Sequence, residues 1–463
     1  MKSVTRLNTA TVFFIAVLIV IASLLVPRQL KAQNATDANG EMHYRAVNLG
    51  NLSGTIGSGN TINNIGWSMG SATQVGNSTE HATVWIYGLR FDLGTLGGPN
   101  SDVQWPVKND HGLIAGWSET AAIDPYNESW SCTAFNPTDT PTGHVCVGFV
   151  WQWGVMTPLP TLGGNNGFAT GANNLQQIVG WAENTIHDGT CVSPQVLQFE
   201  PVLYGPGVGQ IQQLPNYPGD PDGAATAIND NGQVVGISGL CDVAVGAFSA
   251  EHALLWQNGK VTDLGNLGGK GWNTPMAINS RGDVVGFSDL ADDVTNGVLN
   301  ANFHAFLWTK AAGKMIDIGV LPGDSLSEAL DINDQEEIVG VSFPSTHAFI
   351  YENGRMTDLN DLIPSGSPLL LLAANGINNR GEITGQACVI AEGGCPAGAD
   401  TPAFLAFPAY SRDGGTGSWS AAASFTAAAN VAPPENVTVP DDIRQEIMRR
   451  LAFGHFEPER TKP

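Results

Sequence analysis

The sequence predicts an all-β protein, a seven-bladed β-propeller of four-stranded antiparallel blades. The N-terminal strand closes the last blade, and a short helix follows at the C-terminus. Three observations predict it. A block of the form AINDNGQVVGIS recurs seven times along the chain. After a gap of variable length, each block is followed by a phrase such as HAFLW, a turn containing Gly, and a strand such as FDLGTLGG. A lone copy of that last strand, YRAVNLGNL, stands at Tyr44 with no block before it.

The block is clearest at Ala227–Ser238, Ala277–Ser288, Asp331–Ser342 and Gly376–Ala387. Worn copies start at Thr61, Val107 and Gly171. The closing glycines are Gly70, Gly116, Gly180, Gly236, Gly286, Gly340 and Gly385, with steps of 45 to 64 residues. Repeats of about 40–50 residues are the range of propeller blades. Each block reads as a hairpin. Asn231-Gly232 is the signal of a two-residue turn, because such turns need the positive φ that Asn and Gly tolerate. Gln176 and Glu336 replace that Gly, so their turns are expected to differ.

The second hairpin starts at His81, His252, His304 or His347, with poorer copies from Val147, Glu200 and Pro402. Its turns contain Gly88, Gly154, Gly259, Gly313 or Gly354. The apolar residues in these strands are nearly continuous rather than alternating, as expected where both faces of a sheet are covered. The four His residues sit at equivalent places on separate blades, too far apart for one ion with ligands near 2 Å. They read as hydrogen-bonding groups at a strand start.

The seventh unit ends at Tyr410 without a fourth strand, and the orphan at Tyr44 supplies it. A ring closed in this way leaves only short, protected sheet edges. Bringing the ends together across roughly 360 residues costs on the order of 5 kcal/mol plus a constant. Burying Val47, Leu49 and Leu52 returns roughly 1.5–3 kcal/mol each.

Together the HAFLW phrase, the AINxxGxVVG block and the DLGTLGG phrase resemble the HAF-type extracellular repeat proteins of bacteria. The resemblance runs from about Tyr44 to Tyr410. It implies repeats and export; it supplies no catalytic residue.

Composition bounds the rest. The chain of 463 residues carries a formal net charge of −23 with 14% charged residues and 56 Gly. So acidic a surface repels phosphate backbones, and nucleic acid is excluded as a partner class. Lys2, Arg6 and the apolar run Val12–Val26 read as an export signal, with cleavage between Ala32 and Gln33. A retained N-terminal anchor is the alternative. The run is about 15 residues, short of the ~20 needed to span a bilayer. Once it is cleaved, no membrane span remains. All six Cys follow the signal, and an even number in an exported chain favours disulfides. Proximity suggests Cys132 with Cys146, Cys388 with Cys395, and Cys191 with Cys241, among fifteen possible pairings.

Four-stranded blades place the turns between strands one and two, and three and four, on one face. The longer loops lie on the other: Thr120–Val145, Ala182–Phe199, Gly239–Glu251, Asp289–Phe303 and Cys388–Thr401. A ligand is expected on this face, over the channel mouth. Asp289, Asp292, Asp293 and Asn296 could offer oxygen ligands to Ca²⁺, although a solvated acidic loop is the simpler reading. Asp220 and Asp222 read as turn residues. Trp67, Trp117, Trp181 and Trp272 read as packing between blades, with stacking on sugars as the alternative. The catalytic motifs GxSxG, HExxH and the P-loop are absent from the sequence.

The chain divides into a signal peptide (1–32), a linker (33–43), the propeller (44–410), a Gly-, Ser- and Ala-rich linker (411–439) and a tail (440–463). In the tail, Ile443, Ile447 and Leu451 share one face of a short amphipathic helix, expected to pack on the same chain. The function expected is that of a monomeric, secreted or periplasmic cell-surface binding or scaffold protein. Its ligand would be a carbohydrate or another envelope component. The alternatives are an extracellular polysaccharide-acting enzyme with carboxylates at the channel mouth, or a purely structural surface protein.

Overall fold

A computed structural model describes residues 43–128, 130–133, 135–138, 140–205, 209–241, 250–291, 294–295, 298–299, 302–391, 394–409 and 439–451. The signal, its cleavage point at Ala32 and Gln33, and both linkers lie outside them, apart from His43 and Val439 at the linker edges. Seven four-stranded antiparallel sheets follow one another along the chain. Blade 1 holds Gly57–Ile62, Trp67–Thr73, Glu80–Ile86 and Leu89–Asp92. Blade 2 holds Gly97–Asp102, Ile114–Ile123, His144–Gln152 and Val155–Pro158; blade 3 holds Gly167–Ala172, Ile178–His187, Leu197–Tyr204 and Ile211–Gln213; blade 4 holds Asp222–Ile228, Val234–Gly239, His252–Gln257 and Lys260–Asp263. Blade 5 holds Gly268–Ile278, Val284–Leu290, Phe303–Trp308 and Met315–Gly319; blade 6 holds Leu326–Ile332, Ile338–Phe343, His347–Glu352 and Arg355–Asp358; blade 7 holds Leu369–Ile377, Ile383–Val389, Ala403–Pro408 and Tyr44–Asn48. Among the described residues no helix is long and apolar enough to cross a membrane.

The ring closes as the orphan strand requires. Tyr44–Asn48 pairs antiparallel with Ala403–Pro408, placing Val47 opposite Leu405, and completes the sheet of Leu369–Ile377 and Ile383–Val389. The apolar anchors differ from those expected. Leu49 is buried, but Val47 and Leu52 are only half-buried, because this outermost strand has a solvent side. Tyr44 is fully buried and takes the larger share.

The block's closing Gly has a steric cause. A Cβ on Gly70 would lie 1.9 Å from the carbonyl oxygen of Ser58, and one on Gly340 would lie 1.9 Å from that of Glu328. The turn inside the block is not the two-residue type expected at Asn231-Gly232. Asn229 N–H donates to the Gln233 carbonyl and Gly232 N–H to the Asn229 carbonyl, and of these residues only Gly232 has positive φ. This is a three-residue loop ending in a left-handed residue. Nor do the turns at Gln176 and Glu336 differ. Both residues adopt the same left-handed conformation (φ 60° and 65°) with the same hydrogen bond back to Asn173 and Asn333.

What holds that turn is the block's Asn. Asn229 Oδ1 accepts from Asn231 N–H (3.1 Å) and Gln233 N–H (3.0 Å). Its Nδ2 donates to the carbonyl of Asn279 in the next blade (2.8 Å). The same inter-blade bond runs from Asn63 to Asn109, to Asn173, to Asn229, then from Asn279 to Asn333, to Asn378 and back to Asn63. One asparagine per blade therefore closes a seven-membered hydrogen-bond circle around the short-turn face. Beside it, Lys108 Nζ reaches Asp331 Oδ2 (2.5 Å) and the carbonyls of Ile377 (2.8 Å) and Ile62 (3.3 Å), linking blade 2 to blades 6, 7 and 1.

Candidate functional site on the long-loop face

The opposite face carries the loops and all three disulfides, Cys132–Cys146, Cys191–Cys241 and Cys388–Cys395. The first and third staple single loops. The second ties the loop of blade 3 to that of blade 4. Blades 2 and 3 are joined differently. Glu128, in the blade 2 loop, accepts through Oε1 from Val196 N–H (2.9 Å) and Leu197 N–H (2.5 Å) of blade 3. The loops of three consecutive blades thus form one braced crest.

Beneath the crest lies a buried polar network. Asn166 donates through Nδ2 to Asp124 Oδ2 (3.0 Å) and Glu183 Oε1 (3.1 Å). Glu183 Oε2 also accepts from Asn166 N–H (2.8 Å), and Gln195 Nε2 donates to Glu183 Oε1 (3.2 Å). Burial, reinforced by the charge of Glu128, pushes the Glu183 carboxyl up to about 7. Burial also raises Glu128. Above this network Tyr126, 46% exposed, meets His187 edge-on with ring centroids 5.6 Å apart. An aromatic edge over paired amides and carboxylates offers a stacking surface with both donors and acceptors.

The centre of the face differs from the expectation of an open mouth. The C-terminal helix Asp441–Leu451 occupies it. Pro440 precedes the first turn, and Asp441 and Asp442 sit where the helix dipole favours acids. Ile443, Ile447 and Leu451 are buried in one apolar cluster with Trp105, Phe135, Phe168 and Leu372. Arg450 is buried as well and donates to Glu80 Oε2 (2.8 Å), with Glu446 alongside. Burial alone would lower the Arg450 guanidinium, but Glu80, Glu446 and Asp102 hold it charged. Asp102 is pushed well up, by burial and then by Glu80. The two carboxylates at the mouth are thus sealed under the protein's own arginine.

The other candidates take structural places. His81, His304 and His347 pair through Nδ1 with Asp92, Asp317 and Asp358 of the neighbouring strand (2.9, 2.9 and 2.7 Å). His252 pairs with Asp220 (2.8 Å), which also accepts from Ser238 Oγ. Asp222 is a buried strand residue rather than a turn residue, accepting from Phe199 N–H; burial, with Asp188 and Glu200 nearby, pushes it up to about 8. In blade 3, Glu200 replaces the His and accepts from Asn216 (2.7 Å). Trp67, Trp117, Trp181 and Trp272 are all buried. Asp289 is buried at the end of Val284–Leu290, while Asp292, Asp293 and Asn296 lie outside the described residues. Among the described residues no three His, Cys, Asp or Glu side chains converge as a metal-ligand set.

Sequence reasoning missed the asparagine circle, Lys108, the Glu80–Arg450 pair and the Tyr126–His187 edge. Only the first had a signal, an Asn at one fixed place in seven blocks.

No protein-family model matches the chain, and no curated protein matches it. Solved structures do. Pyrococcus horikoshii acylaminoacyl peptidase is 10% identical over 69% of this chain (TM-score 0.39), and the match spans about half, 47%, of that longer protein. Virginiamycin B lyase from Staphylococcus aureus is 12% identical over 79% of this chain and 99% of its own (TM-score 0.44). Oligogalacturonate lyase from Vibrio parahaemolyticus is 8% identical over 81% and 96% (TM-score 0.42). With identities of 8–12% and TM-scores below 0.5, these matches assign no activity to this chain.

Proposed function

We propose that this is an exported, HAF-type binding or scaffold protein, secreted or periplasmic, which holds a carbohydrate or another envelope component on the braced crest of blades 2 to 4. The observation that carries the reading is the bracing itself. Glu128 and Cys191–Cys241 join three loops into one surface, and a surface ordered in advance loses less entropy on binding. The Tyr126–His187 edge supplies a face on which a sugar ring stacks. An extracellular location accords with three disulfides.

A second reading rests on Glu183. Burial pushes its carboxyl up to about 7, so it holds a proton near neutral pH as a general acid does; it is 3% exposed beneath the crest, and the reading requires the crest to open to substrate. The test is a glycan array with the purified protein, run beside a polysaccharide-degradation screen. Binding without turnover, lost in Tyr126→Ala, supports the first reading. Turnover lost in Glu183→Gln supports the second. Neither binding nor turnover sinks both.

A further inference from the structure

The short-turn face, opposite the crest, is not uniform. In four blades the third and fourth strands join through a two-residue turn with both central residues at positive φ: Tyr87-Gly88, Trp153-Gly154, Asn258-Gly259 and Asn353-Gly354. Asn suits the first place, because its short polar side chain tolerates the left-handed region. Blades 4 and 6 carry it there and follow the Gly with Lys260 and Arg355. Blades 1 and 2 do not. Tyr87 (φ 50°) and Trp153 (φ 54°) hold bulky rings where such residues are outliers, and Leu89 and Val155 stand in place of the cations. A left-handed aromatic costs backbone energy that Asn would not, and an outlier of this kind points to a use for the side chain.

All four side chains project into solvent, 58–64% exposed. Equivalent turns stand at equivalent heights in a ring of like blades, so the two tips face one plane. Exposed Leu175, on the inner turn of blade 3, lies on the same face. The surroundings narrow the occupant. Residues 86–91 and 151–156 include no acid, in a chain with 43 Asp and Glu, and the single charge among them is Arg90. Tyr and Trp rings beside aliphatic side chains, free of carboxylates, match the interface of a bilayer, where such rings lie at headgroup level. A chain of net charge −23 is repelled by an anionic surface, so the matching headgroup layer is zwitterionic. The chain also enters the ring on this face. Tyr44 pairs with Pro408, and a Cβ on Gly381 in the short turn of blade 7 would lie 3.2 Å from Pro408 Cγ. The leader, with its apolar run of residues 12–26, therefore joins the propeller on the side of the tips, one blade from Tyr87.

We propose that the turn tips of blades 1 and 2 dock the propeller on a zwitterionic lipid bilayer. Tyr87 and Trp153 enter to headgroup depth with Leu89 and Val155 beside them, and the crest then faces away from the membrane. Docking does not require the leader to be retained, since the tips belong to the folded ring. Nor does it depend on the carbohydrate reading, since the two faces share no residue.

The experiment uses the full chain, as the cell processes it, and the double variant Tyr87→Asn/Trp153→Asn. The double variant installs the residue that blades 4 and 6 carry at the same φ, so it keeps the turns and is expected to melt no lower than wild type. Ile316→Ser, which removes an exposed apolar residue from blade 5, is the control. Binding to phosphatidylcholine vesicles is read by flotation and by quenching of tryptophan fluorescence with brominated lipid. Wild type and Ile316→Ser are expected to float and to be quenched, and the double variant to bind at least ~10-fold more weakly. Tyr87→Asn alone, which keeps Trp153, is expected to lower the quenching as well. Should a retained leader float every variant, quenching decides. No quenching of the wild type overturns the proposal, whether or not the tips join two copies in solution. Equal quenching of wild type and double variant overturns it, as does binding confined to vesicles with phosphatidylglycerol. Glycan binding by the same samples reports on the crest and leaves the vesicle result untouched.

Discussion

Removing one member of the asparagine circle tests how the blades are held together. In Asn229→Ala four hydrogen bonds go. Two are accepted by Oδ1 from Asn231 and Gln233, and two are donated by Nδ2 to the Asn279 carbonyl and Gln233 Oε1. Each is worth about 1 kcal/mol net, and more where the abandoned partner stays buried. The Asn279 carbonyl keeps its bond from Gly282 N–H, and water reaches the half-buried turn, so the loss is about 3 kcal/mol rather than the sum of buried penalties. An unfolding entropy of ~2.1 cal/mol/K per residue over roughly 370 residues gives ~0.8 kcal/mol/K, hence a fall in Tm of about 4 °C. Asn229→Asp separates the two halves. It keeps the two acceptor bonds within the turn but turns a carboxylate toward the Asn279 carbonyl. Its deficit relative to wild type should shrink below about pH 4, where the protonated carboxyl can donate. Asn174→Ala is the comparison outside the circle: it removes an exposed bond to Asp230 and one accepted from Asp110 N–H, and is expected to cost about 1 kcal/mol. Thermal unfolding followed by circular dichroism under non-reducing conditions measures all three. A Tm for Asn229→Ala within 1 °C of wild type, or an equal loss in Asn174→Ala, would refute the claim that the circle binds the blades, on the estimate above.

Three further predictions concern charge, cross-links and closure. Glu328 is fully buried, neither of its oxygens has a hydrogen-bond partner, and burial alone pushes it to about 8, above its unfolded value of 4.5. The folded state therefore binds the extra proton. The stability this contributes is whole below about pH 4.5 and is lost as pH rises through about 8, at up to ~1.4 kcal/mol per pH unit. Urea titrations at pH 5 to 9 should show a flatter profile for Glu328→Gln; an unchanged slope means that the group is not buried in this way. Cys191 and Cys241 span 50 residues, and the chain-entropy relation assigns such a loop ~4 kcal/mol. Replacing both with Ser should lower the urea midpoint and free the amides of the blade 3 loop to hydrogen exchange; unaltered exchange there would show that Glu128 alone holds the crest. Starting the chain at Ser53 removes the pairing with Ala403–Pro408 and the buried Tyr44 and Leu49, worth ~1.5–3 kcal/mol each before the ladder is counted. The exposed edge should then pair between copies, so light scattering should find oligomers; a stable monomer of unchanged Tm would contradict closure by this strand.

Much of the ring was legible in the chain because a propeller is written in repeats. The seven blocks mark the inner hairpins, the continuous apolar runs mark strands covered on both sides, and the unmatched strand at Tyr44 marks the seam. The expected pairing of the cysteines also appears, because the two short pairs lie in single loops. Turn details were less legible. Gln176 and Glu336 look like exceptions in sequence, yet the turn is held by Asn173 and Asn333, and the left-handed residue only follows. The anchors of the closing strand were misjudged for a similar reason. Which side of an outermost strand meets solvent depends on register, and Tyr44 opposite Pro408 settles it.

The sequence by itself determined the fold class, the number of blades, the place where the circle joins, and which face carries the long loops. All of these follow from local patterns repeated seven times along the chain. Only the tertiary structure decided what stands on that face. It set Glu128 against the backbone of Val196 and Leu197, carried Arg450 some 370 positions along the chain to Glu80, and filled the mouth with the chain's own helix. The reason is physical. A repeat constrains neighbours in register, whereas contacts across the ring depend on how seven blades converge, and no spacing along the chain encodes that convergence.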